Sequence, residues 1–239
     1  MIKVENIDVW GFEHAIRGMR NPMNSWDKGD SDVAFHALQN FFDNDPMASK
    51  YFEWNDKYGL NIKIGKNDLD LMRKLFKASL TGNYAHRKFL RQIFVSMDII
   101  APLYWWKEFD TYKVGTVANS CSTMHKIHSK EFTLDDFSTD HLTDFSWNRL
   151  DDLITHLNIC REKFIDTKDK EYWWQIIQLL PSSYNQKRTV TMNYENVVNI
   201  ILQRTGHKLD EWRDFVDVLC KLPYLDEITK KEANNGDKT

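Results

Sequence analysis

The sequence predicts an α+β fold, mostly helical with a small central antiparallel or mixed sheet. Nine Gly and five Pro in 239 residues are few, which favours long regular elements over a turn-rich all-β fold. Several segments carry apolar residues at helical spacing, which predicts amphipathic helices. Residues 91–102 are instead β-branched and apolar and end at Pro102, a pattern typical of a central strand.

The elements of the N-terminal part are predicted from the same patterns. Residues 2–12 have the composition of a short edge strand, and a short helix and a polar loop are expected to follow it. Residues 32–56 are rich in aromatic side chains with weak helical spacing. A clear helix is expected to begin at Asn67 or Asp68, either of which can cap it, and to end near Gly82.

The C-terminal half is predicted to be helical. The acidic, polar residues 129–146 are expected to form an exposed loop. Three helices follow, at residues 147–165, 170–180 and 194–222. Pro181 stops the second of them, and the third is expected to break near Gly206. We expect one domain over residues 1–225 and a disordered polar tail over residues 226–239.

Composition excludes several classes of protein. The net charge of −3 and the absence of a Lys or Arg run disfavour a nucleic-acid-binding module, which needs a basic face. Three widely spaced cysteines fit neither a disulfide framework nor a zinc site, and His125 and His128 have no third ligand at a suitable spacing, so we expect no metal. No signal peptide and no membrane-length apolar run is visible, which predicts a cytoplasmic protein without membrane contact. The high aromatic content, 13%, favours an oligomer or a planar ligand.

A polar stripe runs along the start of the last predicted helix. At 100° per residue, its members fall within an arc of about 140°. They are Asn193, Asn196, Asn199, Gln203, Arg204 and His207. Asparagine is a poor helix former, and a solvated helix face is usually filled with Glu, Lys and Ala instead. A solvated face and a face that binds a flat, polar, anionic ligand such as a nucleotide or flavin both remain open.

The segment LLPSSYNQKRTVTMNYENVVNIILQRTGHKLDEWR, residues 179–213, resembles the C-terminal block of flavin-dependent thymidylate synthases. The matching positions are Pro181, Asn193, Asn199, Arg204, His207, Glu211 and Arg213, with one residue fewer than usual between the first Arg and the His. The resemblance implies that Asn193, Asn199 and His207 help to hold FAD. It also implies that Arg204 contacts the uracil of dUMP and acts in catalysis.

Two further segments are similar to blocks of the same family. In GNYAHRKFLRQIFVSMDIIAP, residues 82–102, His86 matches the first His of a motif whose Glu-His pair is replaced here by Arg91 and Gln92. In MNSWDKGDS, Ser25 stands at the serine that contacts the flavin. The resemblance therefore implies His86 and Ser25 as additional cofactor-binding residues.

The diagnostic Arg-His-Arg motif of that family is degraded. Counted from Ala101-Pro102, the triplet falls on Asp110-Thr111-Tyr112, and of the motif's later residues Ser120 survives, which makes it the second candidate catalytic residue. The family uses those arginines, and one matching Ile177, to bind the phosphates of flavin and dUMP. Each lost bidentate contact should cost on the order of 1.5–3 kcal/mol. The cations that remain as substitutes are Lys107, Lys113, Lys126, Lys187 and Arg188.

Two functions follow from the resemblance. The first is a divergent flavin-dependent synthase that methylates dUMP or a related pyrimidine nucleotide with methylenetetrahydrofolate, FAD and NADPH, as a homotetramer. The second is a fold relative that has lost the reaction and binds another nucleotide or a protein partner. Cys121 either attacks C6 of the pyrimidine or is inert, and the pairs Trp105-Trp106 and Trp173-Trp174 either stack on the flavin or pack in the core or an interface.

Overall fold

The computed structural model describes residues 2–33 and 62–230, and it has the predicted α+β fold. In chain order the strands are β1 (Lys3–Trp10), β2 (Asp32–Val33), β3 (Ile62–Lys63), β4 (Phe94–Pro102), β5 (Thr116–Ser120) and β6 (Asn185–Asn193). The helices are α1 (Phe12–Arg20), α2 (Lys66–Ser79), α3 (Leu103–Phe109), α4 (Asp144–Thr167), α5 (Lys170–Leu179), α6 (Tyr194–Arg204), α7 (Asp210–Leu219) and α8 (Leu225–Thr229). A 3₁₀ segment, Tyr84–Gln92, leads into β4.

The main sheet is antiparallel, with its described strands in the order β1-β4-β6-β5. The predictions of β1 as an edge strand and of β4 as a central strand are confirmed. In β4, Val95, Met97 and Ile99 are fully buried, while Ser96 and Asp98 lie on the partly exposed opposite face. This alternation has the period of two that a strand requires, so one face of the sheet packs on the helices.

The predicted helix after residue 65 is present, but its predicted cap is wrong. Helix α2 begins at Lys66 and follows Gly65, which makes no side-chain cap. Its first N–H groups are instead satisfied by a residue that is distant in the sequence. The Asp30 carboxylate accepts from the backbone N–H of Asn67 and Asp68 at 2.9 and 3.1 Å. The Asp68 side chain is therefore free to turn inward, where it binds the buried Arg20.

Most of the helices predicted for the C-terminal half are confirmed. Helices α4 and α5 are present, and the last helix breaks at Gly206, which has the left-handed φ of +74°. Residues 129–146 were expected to be exposed, and this is wrong at Phe132 and Phe137, which are buried against α4 and α5. Strand β6 is an element that the patterns do not predict.

The core reaches close to the C-terminal end of the described chain. Helix α8 buries Leu225 and Ile228, while the division into one domain over residues 1–225 and a tail stays a prediction. The tail beyond residue 230 and residues 34–56 of the aromatic segment lie outside the described residues. In the part of the chain that the structure describes, no helix is long and apolar enough to span a membrane.

Candidate functional site

Asn193, the first member of the polar stripe, is the last residue of β6 and the N-cap of α6. Its Oδ1 accepts from the backbone N–H of Asn196 at 3.0 Å, and the residue is buried. The prediction that the stripe lies entirely on a helix is wrong at its first residue and also at its last, His207, which lies in the loop between α6 and α7. The Asn193 amide also packs closely against the neighbouring turn. Any side chain at Gly115 would place its Cβ 2.5 Å from Asn193 Nδ2, so this position favours glycine.

The next two asparagines make contacts within the chain. Asn196 Nδ2 donates to the Val114 carbonyl at 2.8 Å, which ties α6 to the turn before β5. Asn199 Oδ1 accepts from Arg87 at 3.0 Å, and that buried arginine also bonds Glu195 at 3.3 Å. These two amides are partly exposed, and they hold α6 against the α3–β5 connection and the 3₁₀ segment.

Arg204 lies at the centre of a cluster formed with α3 and α7. Its Nη1 is 2.5 Å from Glu108 Oε2, and its Nε donates to the Tyr112 hydroxyl at 2.9 Å. Its guanidinium stacks 4.4 Å above the Trp212 ring, and 16% of the side chain is exposed. We call these residues, with His207, the Arg204 cluster.

His207 and Trp212 also face the Glu108 carboxylate. The Leu209 backbone N–H donates to His207 Nδ1 at 3.2 Å, so the proton of a neutral ring is on Nε2, which also lies 3.1 Å from Arg204 Nη1. That Nε2 lies 3.5 Å from Glu108 Oε2, and Trp212 Nε1 donates to the same oxygen at 3.1 Å. One carboxylate oxygen therefore meets the guanidinium, the indole N–H and the imidazole.

A second arginine is held in a similar way beside the first. Arg188, on β6, stacks 4.2 Å above the Trp106 ring and donates to Asp110 Oδ1 at 2.7 Å. Asp110 and Tyr112 stand at the two arginine positions of the degraded motif. In this chain those positions thus carry groups that bind arginines of β6 and α6, rather than arginines that bind phosphate.

Lys187, another of the cations that could substitute for the motif arginines, is already paired with a carboxylate. Lys187 forms an ion pair with Asp98 at 2.9 Å on the partly exposed face of the sheet. Hydrogen bonds from Thr189, Lys187 and Asn6 lower the pKa of Asp98 to about 2. The Asp98 carboxylate is therefore charged at neutral pH and holds Lys187.

Ser120 and Cys121 lie at the end of β5, away from a defined catalytic arrangement. Ser120 pairs with Arg188 in the β5–β6 register, and both Ser120 and Cys121 are exposed. The Cys121 backbone N–H donates to the Lys187 carbonyl, and its own carbonyl accepts from Gln186. These contacts close the end of the sheet, and they define no proton acceptor for the thiol.

His86 lines a groove between α1 and the 3₁₀ segment. The groove has a volume of about 780 Å³. Its lining combines apolar and cationic side chains, among them Met19, Pro22, His86, Lys88, Phe89 and Arg91. Arg91 is 56% exposed and pairs with Glu195. The groove can receive a flat apolar group with an anionic end.

Ser25 lies in a separate place from His86. It is buried, and Arg20 Nη1 contacts its carbonyl at 3.0 Å and its hydroxyl at 3.4 Å. It lines a smaller groove of about 440 Å³ together with Lys28. Within one chain, the structure therefore brings Arg204 and His207 together and leaves Ser25, Ser120 and His86 in three other places.

The other residues of the C-terminal block have structural partners. Glu211 is buried and accepts a hydrogen bond from the Tyr104 hydroxyl. Burial and this carboxylate raise the pKa of Tyr104 to about 12. Arg213 donates to the His207 carbonyl at 3.0 Å, which fixes the loop between α6 and α7. Arg213 thus holds the loop that positions His207, and Glu211 joins α7 to α3.

The tryptophan pairs divide between core and surface. Trp105 and Trp106 are fully buried and pack with other rings of the core, which agrees with the packing interpretation. Trp173 donates to the Met124 carbonyl, and Trp174 is 49% exposed. Among the described residues, no group of three or more His, Cys, Asp or Glu side chains is placed to hold a metal ion.

Sequence reasoning missed Glu108, Tyr112 and Trp212. The one signal in this region was the replacement of the two motif arginines by Asp110 and Tyr112, and it points to neither Glu108 nor Trp212. That signal shows that phosphate contacts are lost. It does not show which side chains bind Arg204.

Comparison with known proteins supports the fold alone. No family model matches the chain, and no curated protein sequence matches it. Solved structures do match: its structural class is that of the flavin-dependent thymidylate synthases. The chain resembles thymidylate synthase X (ThyX) from Helicobacter pylori with FAD and dUMP at a TM-score of 0.58 and 14% identity, over 95% of this chain and 96% of that one. A second structure of that protein with FAD and dUMP gives the same TM-score and identity over 94% of this chain and 96% of that chain.

Proposed function

We propose that this chain is a nucleotide-binding protein of the ThyX fold that holds a flavin and does not methylate dUMP. The observation that carries the loss of methylation is the state of Arg204, which matches the arginine that contacts uracil. Its Nη1 and Nε are bonded to Glu108 and Tyr112. A uracil carbonyl is neutral, and charge-assisted hydrogen bonds are about twice as strong as neutral ones. The base therefore competes poorly with Glu108.

The charge of the α3–β5 connection supports the same conclusion. A bound dUMP carries a phosphate, which needs cations around it. Glu108 and Asp110 instead bring two carboxylates to Arg204 and Arg188. A phosphate must either displace these carboxylates from the arginines or meet like charge beside them, and both requirements disfavour dUMP binding.

The flavin part of the proposal rests on the groove that His86 lines. Its volume lies in the range of about 300–1,000 Å³ that is typical of small-molecule sites. We assign the apolar surface of Met19 and Phe89 to the ring system and Lys88 and Arg91 to the phosphates of FAD. A bound flavin would supply hydride transfer. In this proposal a second chain completes the flavin site, as in the homotetramer that the resemblance implies. Only in that assembly do further residues hold the flavin: Ser25, Asn193, Asn199 and His207.

An FAD titration tests the flavin proposal. We expect the purified protein to take up FAD, with quenching of flavin fluorescence, and Arg91→Ala to weaken the affinity by roughly tenfold or more through loss of a charge-assisted contact. Arg149→Ala is the matched control, because Arg149 is exposed on α4 and pairs with Asp152 away from the groove lining. A protein that takes up no FAD, or an Arg149→Ala variant as weak as Arg91→Ala, would contradict the flavin assignment.

The synthase reaction is the second candidate. It is favoured by the matched positions Asn193, Asn199, Arg204 and His207, and it brings methylenetetrahydrofolate and NADPH as further substrates. We expect no growth when the chain is expressed in a thymidine-requiring bacterial strain without thymidine, while a known flavin-dependent synthase restores growth. Growth would establish the synthase reaction and reject the proposed loss. A cytoplasmic location stays a prediction.

A further inference from the structure

The Arg204 cluster has the donor set of an anion-binding site. Glu108 Oε2 meets Arg204 Nη1 at 2.5 Å, Trp212 Nε1 at 3.1 Å and His207 Nε2 at 3.5 Å. The guanidinium and the indole N–H can only donate, and the His207 ring donates from Nε2 because its Nδ1 accepts from Leu209. His207 Nε2 lies closer to Arg204 Nη1, at 3.1 Å, than to the carboxylate oxygen. The three donors converge on one oxygen, and that oxygen belongs to a side chain of the same protein.

The geometry around the guanidinium is held without Glu108. Arg204 stacks on Trp212, which is fully buried, and its Nε is held by the Tyr112 hydroxyl. The His207 ring is fixed by the Leu209 backbone N–H. The donors are therefore positioned by contacts that remain if the carboxylate leaves, which is the condition for a preformed site.

Glu108 is the most accessible member of the ion pair. Its side chain is 37% exposed, against 16% for Arg204. It stands in the last turn of α3, so a change in its side-chain torsions moves the carboxylate into solvent without unfolding the helix. Once it leaves Arg204, the Glu108 carboxylate is solvated by water. Its exchange for a ligand anion therefore releases one anion into water and takes another one out of water.

We propose that Arg204, His207 and Trp212 bind the carboxylate or phosphate group of an anionic ligand, and that Glu108 occupies this site until the ligand displaces it. A neutral base competes poorly with Glu108, whereas a compact oxyanion makes the same charge-assisted bonds. The site goes beyond the flavin proposal, because it uses none of the groove residues and stands even if the protein binds no FAD.

Acetate and inorganic phosphate are the probes, each against potassium chloride at the same ionic strength. The Glu108→Ala variant removes the atoms that acetate supplies. We expect acetate or phosphate to raise its melting temperature saturably, by about 3–6 °C at ten times the dissociation constant. The dissociation constant should be at least about tenfold lower than in the natural sequence, where Glu108 competes. Asp152→Ala, which breaks the exposed pair with Arg149, is the matched control and should show only the effect of ionic strength.

A second measurement uses the natural sequence and does not depend on the folding of a variant. The indole N–H resonance of Trp212, assigned by its loss in Trp212→Phe, should shift saturably as acetate or phosphate is added. A response to acetate alone identifies a carboxylate ligand, and a response to phosphate alone identifies a phosphate ligand. The proposal is overturned if that resonance does not move with either anion, or if Glu108→Ala responds no more than Asp152→Ala. FAD uptake, measured separately, bears only on the flavin proposal.

Discussion

Replacing Asp68 with Ala is expected to lower the free energy of unfolding by about 3–5 kcal/mol, because it leaves a buried arginine without its counter-charge. Asp68 is fully buried, and its Oδ1 accepts from Arg20 Nε at 2.6 Å. Its Oδ2 accepts from the backbone N–H of Asp30 and from the hydroxyl of Ser31. One side chain thus joins α1, α2 and the loop between them. Chemical denaturation of the variant and the natural sequence measures the difference.

Asp70→Ala is the matched control for this variant. Asp70 lies on the same helix and pairs with Arg73, but 52% of its side chain is exposed. Its loss should change the free energy of unfolding by about 1 kcal/mol or less. Asp68→Asn, which keeps the shape and one acceptor, should fall between the two. Equal losses for Asp68→Ala and Asp70→Ala would contradict the structural role of the buried pair.

The same carboxyl predicts a pH dependence. Burial alone would raise the pKa of Asp68, but the hydrogen bonds from Ser31, Arg20 and the Asp30 backbone outweigh it and lower that pKa. A carboxyl with a lowered pKa in the folded state contributes stability that is complete above the unfolded pKa, near 3.9, and is lost as the pH falls through the folded pKa. The difference between the natural sequence and Asp68→Ala should therefore be constant near pH 7 and shrink below about pH 4.

Local sequence patterns predict those elements whose signal lies within the element itself. Strand β4 is apolar on alternate positions, and the break in the last helix follows from Gly206 with its left-handed φ. Strand β6 was missed because Lys187, Arg188 and Thr189 suggest a polar loop. In the sheet their side chains are satisfied by Asp98 and Asp110, which no local pattern reveals.

The candidate site shows the same limit more sharply. Arg204 and His207 lie side by side because they share one short segment of the chain. Glu108 lies 96 residues away from Arg204, and its pairing depends on how α3 packs against α6. A single sequence states that Asp110 and Tyr112 stand where the motif has arginines, but only the fold states which arginine each of them binds.

The Arg204 cluster shows how the fold holds this arginine without a ligand. An arginine that is 16% exposed would be costly with no acceptor beside it. Glu108 and Tyr112 supply the acceptors from within the chain, so the fold keeps Arg204 without a ligand. Conversely, any ligand that reaches Arg204 must replace those acceptors.

Trp212→Ala is expected to be as damaging as Asp68→Ala, with a loss of about 3–5 kcal/mol in the free energy of unfolding. Trp212 is fully buried, and its ring lies 4.7 Å from that of Trp105. Its removal opens a large cavity and also takes away the surface on which Arg204 stacks. Thermal or chemical unfolding measures this loss, and a loss below about 1 kcal/mol would contradict the packing of the cluster.

A double-mutant cycle separates the polar role of Trp212 from its packing. Trp212→Phe keeps a ring but removes the N–H that donates to Glu108, and Glu108→Gln removes the charge of the acceptor. Because a hydrogen bond to a charged group is lost in either single variant, we expect a coupling energy of about 1 kcal/mol or more. Trp173→Phe, whose indole bonds the Met124 carbonyl instead, should be additive with Glu108→Gln. A coupling near zero for Trp212 would mean that the indole acts through packing alone, and that two donors rather than three define the anion site.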